Sequence, residues 1–196
     1  DIIHVAGRID PIHDIEIINL ELRLADLQMA ENALQRVEKQ AKTKKELQPT
    51  VDALKKVLTG LNENKPVRSL DLSAEEKEVL APYLFLSQKK VLYVANVSEK
   101  DLPSMENGWV ERVRAYAEAE GNAVLAVCAK IEEEVAELSP ADRQGFLQSL
   151  GLEESGLSRL IRASFTMLGL ITYLTTGEVE TRAWTQHSEA VGMFDE

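Results

Sequence analysis

The stretch Val91-Leu-Tyr-Val-Ala-Asn-Val-Ser-Glu99 decides the fold class of this 196-residue chain. It opens on a continuous apolar run, and a second run, Ala123-Val-Leu-Ala-Val-Cys128, follows after one helix-forming segment at about residues 108–120. Apolar strands that alternate with helices predict a parallel sheet covered on both faces, and hence an α/β fold. Ligands of such sheets bind beyond the carboxyl ends of the strands, so we expect the loops after Ala95 and Cys128 to carry the functional residues.

A long helical pattern precedes this region. Residues 12–43 contain no Gly or Pro, and their apolar side chains recur at three- and four-residue steps. They form one stripe of Ile15, Ile18, Leu22, Ala25, Met29 and Ala33, which Val37 and Ala41 continue. A second helix is predicted at about residues 46–61, with Pro49 in its first turn and a stripe of Val51, Leu54, Leu58 and Leu61. Two apolar stripes joined by a short Lys-rich turn predict an antiparallel helical hairpin.

Shorter elements complete the pattern. Ser73-Ala-Glu-Glu76 is a capping box that begins a helix reaching about residue 84, and further helices are predicted at about 132–138, 142–150 and 157–168. Thr-rich alternation over residues 171–185, interrupted at Gly177-Glu178, predicts a β-hairpin. Residues 1–11 are expected to form the end of a strand, or a loop, that enters the first long helix.

Composition argues against several classes of protein. The chain carries 22 basic and 33 acidic side chains, a net charge of −11, which disfavours wholesale binding to nucleic acid or to an anionic membrane. It shows neither a membrane-spanning apolar run nor the pattern of a signal peptide, so no membrane partner is expected. One cysteine, Cys128, excludes an internal disulfide, and we interpret it as a buried structural thiol. The sequence therefore predicts a cytoplasmic protein.

Several catalytic motifs are absent from the sequence. None of the ten glycines is followed by Lys, so the chain has no G-x-x-x-x-G-K-[ST] phosphate loop. The H-E-x-x-H, paired-cysteine and G-x-S-x-G motifs do not occur either. His4, His13 and His187 have no ligand spacing, so no metal site is predicted.

The polar residues after the two apolar runs form the candidate site. Guanine-specific GTPases place N-K-x-D after such a strand, where the Asn amide pairs with purine N7 and the acid accepts from the guanine N1–H and amino groups. In this chain the corresponding segment is Asn96-Val-Ser-Glu99, and Cys128-Ala-Lys130 resembles the S-A-K loop beside the base. These two motifs on successive strands predict a nucleotide-base site, whereas the alternative is a pair of ordinary polar strand ends.

Five segments together resemble one family, the YchF or Obg-like ATPases, which are related to the translation-factor P-loop NTPases. The resemblance is carried by Ile2-Ile-His-Val-Ala-Gly-Arg-Ile-Asp-Pro11, residues 15–27, Tyr93-Val-Ala-Asn-Val-Ser-Glu99, Leu160-Ile-Arg-Ala163 and Arg182-Ala-Trp-Thr185. It implies that Asn96-Val-Ser-Glu99 stands where this family departs from N-K-x-D, a change linked to a preference for ATP over GTP. An intact protein of this kind is expected to bind ATP with Mg²⁺ and to hydrolyse it.

The resemblance also implies a domain organisation and a role for each site residue. Residues 1–14 and 65–169 would form part of an Obg-type nucleotide-binding domain, 15–64 its coiled-coil insert, and 170–196 the beginning of a β-grasp TGS domain. Asn96 would bind the adenine edge, Val97 would supply backbone contacts, and Glu99 would shape the base pocket. Ala129 and Lys130 would pack beside the ring.

The sequence departs from the family pattern at both ends. The resemblance implies that the family's phosphate loop, switch regions and Asp-x-x-Gly magnesium motif lie upstream of Asp1, and residues 186–196 do not continue as its TGS domain does. We therefore expect a fragment with a base-recognition edge, no catalytic residue of its own and no hydrolysis by itself.

A basic segment is the second functional candidate. Residues 36–56 hold seven basic and three acidic side chains, including Lys39, Lys42, Lys44 and Lys45 near the predicted turn. Such a tip favours contact with RNA phosphates of the ribosome, without base stacking and without DNA sequence specificity. The alternative is a solvated helix face. For the chain as a whole, two rival functions remain, a GTP-binding enzyme of the Obg type and a non-catalytic helical adaptor for RNA or the ribosome.

Overall fold

The computed structural model describes residues 9–177 and 180–188. These residues divide into two compact units, and the boundary between the units lies between Lys89 and Lys90. The first unit is helical, whereas the second combines helices with two small sheets. The fold class is α/β and rich in helix, as predicted.

Two long helices form most of the first unit. Helix α1 spans Pro11–Ala41, and the side chain of its N-cap residue, Asp10, accepts a hydrogen bond from His13 N. A 3-10 turn at Lys45–Leu47 leads into helix α2, Gln48–Asn62, which has Pro49 in its first turn as predicted. The two helices pack on each other across this short connection, and both predicted helices are confirmed. The predicted coiled-coil geometry of residues 15–64 stays a prediction.

The buried face of α1 matches the predicted apolar stripe at Ala33 and Val37 but departs from it nearer the N-terminus of the helix. Its buried side chains are those of Asp26, Ala30, Ala33 and Val37, whereas Ile18 in the predicted stripe is 54% exposed. The reason is length, because α1 has 31 residues and α2 has 15, so α2 can cover only about half of α1. On α2 the predicted Val51, Leu54 and Leu61 are buried as expected.

A buried carboxylate connects α1 to the end of the first unit. Asp26 is fully buried and accepts hydrogen bonds from Leu86 N at 2.7 Å, Ser87 N at 2.7 Å and Ser87 Oγ at 2.5 Å. Ser87 Oγ in turn accepts from Val67 N at 3.1 Å. These contacts satisfy polar groups of the 3-10 turn Leu86–Gln88 in the protein interior.

Helix α3, Ala74–Leu80, begins at the predicted capping box. Glu76 N donates to Ser73 Oγ at 3.1 Å, and Ser73 N donates to Glu76 Oε2 at 2.8 Å. The helix ends four residues earlier than predicted, and a 3-10 turn at Ala81–Tyr83 follows it. Pro82 accounts for this early end, because its ring cannot continue an α-helix.

The second unit begins with the predicted parallel pair of strands. Strand β1 spans Leu92–Asn96, and β2 spans Ala123–Val127, with Asn96 opposite Val127 in register. Helix α4, Gly108–Ala119, connects the two strands, and α5, Ala129–Glu137, follows β2 directly. The remaining helices are α6, Pro140–Ser149, and α7, Gly156–Leu168.

Two details of this unit correct the sequence-based expectations. Helix α5 begins at Ala129 rather than at about residue 132. Asn96 Oδ1, at the end of β1, accepts a hydrogen bond from Ala129 N and so satisfies one of the N–H groups that the first turn of a helix leaves unpaired. The expected covering of the strands on both faces is wrong for β1, where Val94 is 46% exposed. Among the described residues β1 has β2 as its strand neighbour, and this small sheet leaves Val94 open to solvent.

The predicted hairpin is also present. Strands β3, Leu170–Thr176, and β4, Thr181–His187, pair antiparallel, with Tyr173 opposite Trp184. The predicted domain limits, including a TGS domain at residues 170–196, stay predictions. His4 lies outside the described residues. Within residues 9–177 and 180–188, no helix combines the length and apolarity that a bilayer crossing requires.

Candidate nucleotide-base site

The two parallel strands bring Asn96 beside the loop that begins α5. Asn96 Oδ1 accepts a hydrogen bond from Ala129 N at 3.0 Å, although these residues are 33 positions apart in the sequence. One residue further along, Val97 N donates to Val127 O at 2.8 Å and extends the contact between the strands. The predicted residues of the two motifs therefore lie together at the carboxyl end of the sheet.

The contact with Ala129 determines how the Asn96 amide is oriented. An N–H group can only donate, so the side-chain oxygen of Asn96 must face Ala129 N. The Nδ2 group of Asn96 then remains as a donor at the exposed end of β1. A donor at this position suits a ring-nitrogen acceptor such as purine N7.

Val97 faces the protein interior rather than the solvent. Its side chain is 7% exposed and belongs to a cluster with Ala126, Cys128 and Ile131. The side chain of Val97 is therefore not available to a ligand at this edge, and its N–H donates to Val127 O. The predicted backbone role stays a prediction and would fall to the carbonyl group of Val97. Cys128 is 2% exposed, which confirms its interpretation as a buried thiol.

Glu99 and Lys130 form an ion pair between the two loops. Lys130 Nζ contacts Glu99 Oε1, and the two side chains are 65% and 43% exposed respectively. The hydrogen bond that Lys130 donates to Glu99, together with the negative charge of Glu99, raises the pKa of Lys130 above its usual range. The structure thus brings together all five predicted base-site residues, with the acid and the base of the set paired with each other.

A network that the sequence analysis did not single out holds the loop after β1. Asp101 Oδ2 accepts from Ser98 N at 3.1 Å, Ser98 Oγ at 3.0 Å and Asn107 Nδ2 at 3.2 Å. These hydrogen bonds, with that from the Ser98 hydroxyl the strongest, lower the pKa of the Asp101 carboxyl. The sequence signal was Ser98-x-x-Asp101, a capping pattern like the one recognised at Ser73.

Asn107 joins this network to helix α4. Its Oδ1 accepts from Trp109 N and Val110 N, both at 3.0 Å, and so caps the first turn of α4. The loop that bears Glu99 is therefore anchored at both ends, by strand pairing at Val97 and by a helix cap at Asn107.

The basic segment lies on the first unit, where Lys39, Lys42, Lys44 and Lys45 are all exposed. Two other basic residues of this segment are engaged by acids, since Lys55 Nζ lies 2.9 Å from Glu38 and Lys56 Nζ lies 2.8 Å from Glu76. The lysines around the turn and Arg36 are the other exposed basic residues of this segment. No group of three His, Cys, Asp or Glu side chains suited to a metal ion occurs in the described parts of the chain.

Comparison with known proteins gives a consistent result, although no family model matches the chain. It is 46% identical over 187 residues to the ribosome-binding ATPase YchF of Bacillus subtilis, an alignment that covers 94% of this chain and 51% of that protein. It is 37% identical over 191 residues to human Obg-like ATPase 1, covering 94% of this chain and 48% of that protein.

A solved structure agrees with these relatives. The YchF GTPase of Schizosaccharomyces pombe superposes with a TM-score of 0.80 at 29% identity, over 95% of this chain and 52% of that one. The chain spans about half the length of the curated relatives it matches. On sequence and on structure alike, it belongs to the YchF/Obg-like ATPase family.

Proposed function

We propose that this chain supplies the adenine-recognition edge of an ATP-hydrolysing, ribosome-associated NTPase. The observation that carries the proposal is the hydrogen bond from Ala129 N to Asn96 Oδ1, which leaves Asn96 Nδ2 as the donor for a purine ring nitrogen. The backbone at Val97 contacts the base, Glu99 shapes the pocket, and Ala129 and Lys130 flank the ring. The names of the relatives, ribosome-binding ATPase and Obg-like ATPase, support the same activity.

The chain's own part in this activity is to bind and orient the base. In such enzymes ATP supplies the phosphoryl group, and Mg²⁺ supplies positive charge that stabilises its transfer. Asn96 fits an adenine nucleotide, whereas the described residues offer no cluster of donors for Mg²⁺. Positioning of the nucleotide through its base is the contribution that we assign to residues of this chain.

Binding to the ribosome is proposed for the exposed lysines of the first unit. Lys39, Lys42, Lys44 and Lys45 surround the connection between α1 and α2 on a chain whose net charge is −11. Local positive charge favours contact with phosphates at this connection, whereas the acidic remainder of the surface repels phosphates. No DNA sequence preference follows from such contacts, because phosphates carry no sequence information.

A GTP-binding function is the second candidate, because the similar Schizosaccharomyces pombe protein is described as a YchF GTPase. Guanine presents N1–H and an amino group to a protein, whereas adenine presents an acceptor at N1. Glu99 is the residue that meets this edge in the proposed site, so its availability decides between the two bases.

The proposal is tested by titrating the isotope-labelled 196-residue chain with AMP and with GMP and following its amide signals by NMR. We expect AMP to shift the Asn96 side-chain amide and the backbone amides of Val97 and Ala129, with weak affinity. Asn96→Ala should abolish these shifts. The matched control is Asn122→Ala, which removes the same group just before the other end of β2 and should leave them unchanged. Absence of any shift at Asn96 with either nucleotide would contradict the proposed site.

A further inference from the structure

The loops after β1 and β2 are tied together by three contacts, of which one depends on two charged side chains. The hydrogen bond from Val97 N to Val127 O joins backbone to backbone, and Asn96 Oδ1 binds the backbone of Ala129. The third contact, between Glu99 and Lys130, requires an acid on one loop and a base on the other. The fold does not require charged side chains at these two positions, so the pair is a candidate for a functional role.

A carboxylate at position 99 has a definite preference between the two purines. An ionised carboxylate only accepts hydrogen bonds, so it pairs with the two donors of guanine and is repelled by the N1 acceptor of adenine. Three residues after Asn96, an unpaired acid would therefore favour guanine. Lys130 changes this situation, because its ammonium group occupies one carboxylate oxygen and neutralises the charge.

We propose that Lys130 determines base choice by holding the Glu99 carboxylate away from the guanine edge, so that the pair favours adenine nucleotides. This inference rests on the proposed function, since it presumes that a purine binds at Asn96. Besides packing beside the ring, Lys130 thereby acts on the choice of base through the Glu99 carboxylate. The ammonium group of Lys130 is charged at neutral pH, as that of any ordinary lysine is, and its contact with Glu99 raises its pKa further.

The exposure of the pair limits the size of the effect. Lys130 and Glu99 are 65% and 43% exposed, so water screens their attraction and the pair opens and closes. Exposed ion pairs of this kind change equilibria by roughly two- to fivefold. We therefore expect Lys130 to bias the choice between AMP and GMP within that range.

The experiment compares AMP and GMP affinities of variants of the 196-residue chain by NMR titration. In Lys130→Met the affinity for GMP relative to AMP should rise about two- to fivefold. Lys130→Arg keeps the ion pair and should keep the wild-type ratio. Lys100→Met removes the same charge beside Glu99 without touching the pair and should also leave the ratio unchanged. Adding Glu99→Gln to Lys130→Met should cancel the gain, because a neutral amide replaces the released carboxylate.

The ratio of affinities separates this inference from a structural role of Lys130. If Lys130→Met lowers both affinities equally, or leaves the ratio unchanged, the inference is wrong although base binding stands. If the wild-type chain shows no shifts at Asn96 with AMP or GMP, the proposed function itself is overturned and the inference with it. A gain for GMP in Lys130→Met that persists with Glu99→Gln would also overturn it, since the effect would not pass through Glu99.

Discussion

At the scale of single residues, the Asp101 carboxylate organises the loop that carries Glu99. Its pKa is lowered by hydrogen bonds that favour the ionised form, from Ser98 and then from Asn107. A carboxyl group whose pKa is lower when folded stabilises the fold above its unfolded pKa of about 3.9, and this contribution disappears as the pH falls through the folded pKa. The loop should therefore stay intact at neutral pH and loosen only in acid.

We predict that the amide signals of Ser98 and Asn107 move together as the pH falls below about 4, because protonated Asp101 loses acceptor strength. An NMR pH titration of the chain measures this change. In Asp101→Asn the step should vanish, since an amide does not titrate. Retention of the step in Asp101→Asn would assign it to another acid.

Base choice gives a second prediction at this scale. Replacing Val97 with Lys and Glu99 with Asp restores the N-K-x-D pattern and should shift preference toward guanine by about tenfold or more, because a polar site discriminates strongly against a ligand that leaves it unpaired. Since Val97 is 7% exposed, Glu99→Asp alone serves as a variant that spares the core. Competition between AMP and GMP measures the ratio, and equal ratios in all three proteins would contradict the base-pocket assignment.

At the scale of elements, α1 depends on Asp26 for its attachment to the turn Leu86–Gln88. Asp26→Leu should destabilise the first unit by about 2–5 kcal/mol, because the backbone N–H groups of Leu86 and Ser87 and the Ser87 hydroxyl lose their acceptor. Urea unfolding followed by circular dichroism measures the loss. The exposed Glu31→Ala on the same helix is the control and should change stability by less than about 0.5 kcal/mol. Equal stability of the two variants would mean that the carboxylate is replaceable.

The connection between α1 and α2 carries the RNA-binding prediction. Reversing Lys39, Lys42, Lys44 and Lys45 to Glu should weaken binding to poly(U). The negative slope of log affinity against log salt should become shallower by about 3, since each single-strand phosphate contact contributes about 0.7 to its magnitude. Helicity should be unchanged because these side chains are exposed. Reversal of Lys77 and Lys89, which are exposed elsewhere on the same unit, is the control. Equal affinities and slopes for the reversed variant and the wild type would mean that these four lysines are an ordinary solvated surface.

At the scale of the whole molecule, this 196-residue chain should not turn over ATP. No phosphate loop occurs in its sequence, and phosphoryl transfer depends almost entirely on groups that position and neutralise the phosphates. Phosphate release by the purified chain should equal that of buffer. Turnover that Asn96→Ala abolishes would contradict the prediction, because it would link catalysis to this site.

The elements were predictable from the sequence, whereas their contacts were less so. Apolar runs located β1 and β2, and the capping box at Ser73 located α3, because these signals are local. The buried face of α1 was predictable only in part, at Ala33 and Val37, since the length of α1 that is covered depends on the length of α2. In the site, Asn96 and Ala129 were placed together by sheet topology, but the ion pair of Glu99 with Lys130 depends on side-chain conformations that no spacing rule specifies.

Asn107 makes helix α4 sensitive to events at the base loop. One end of its amide group binds Asp101 in that loop, and the other end binds the first amides of α4. Coupling of this kind is reciprocal, so a ligand that orders the loop makes the opened state of the first turn of α4 less populated, by the same coupling free energy with which the closed turn favours the ligand. Hydrogen–deuterium exchange at Trp109 and Val110 therefore reports occupancy of the site from a position that no ligand needs to touch.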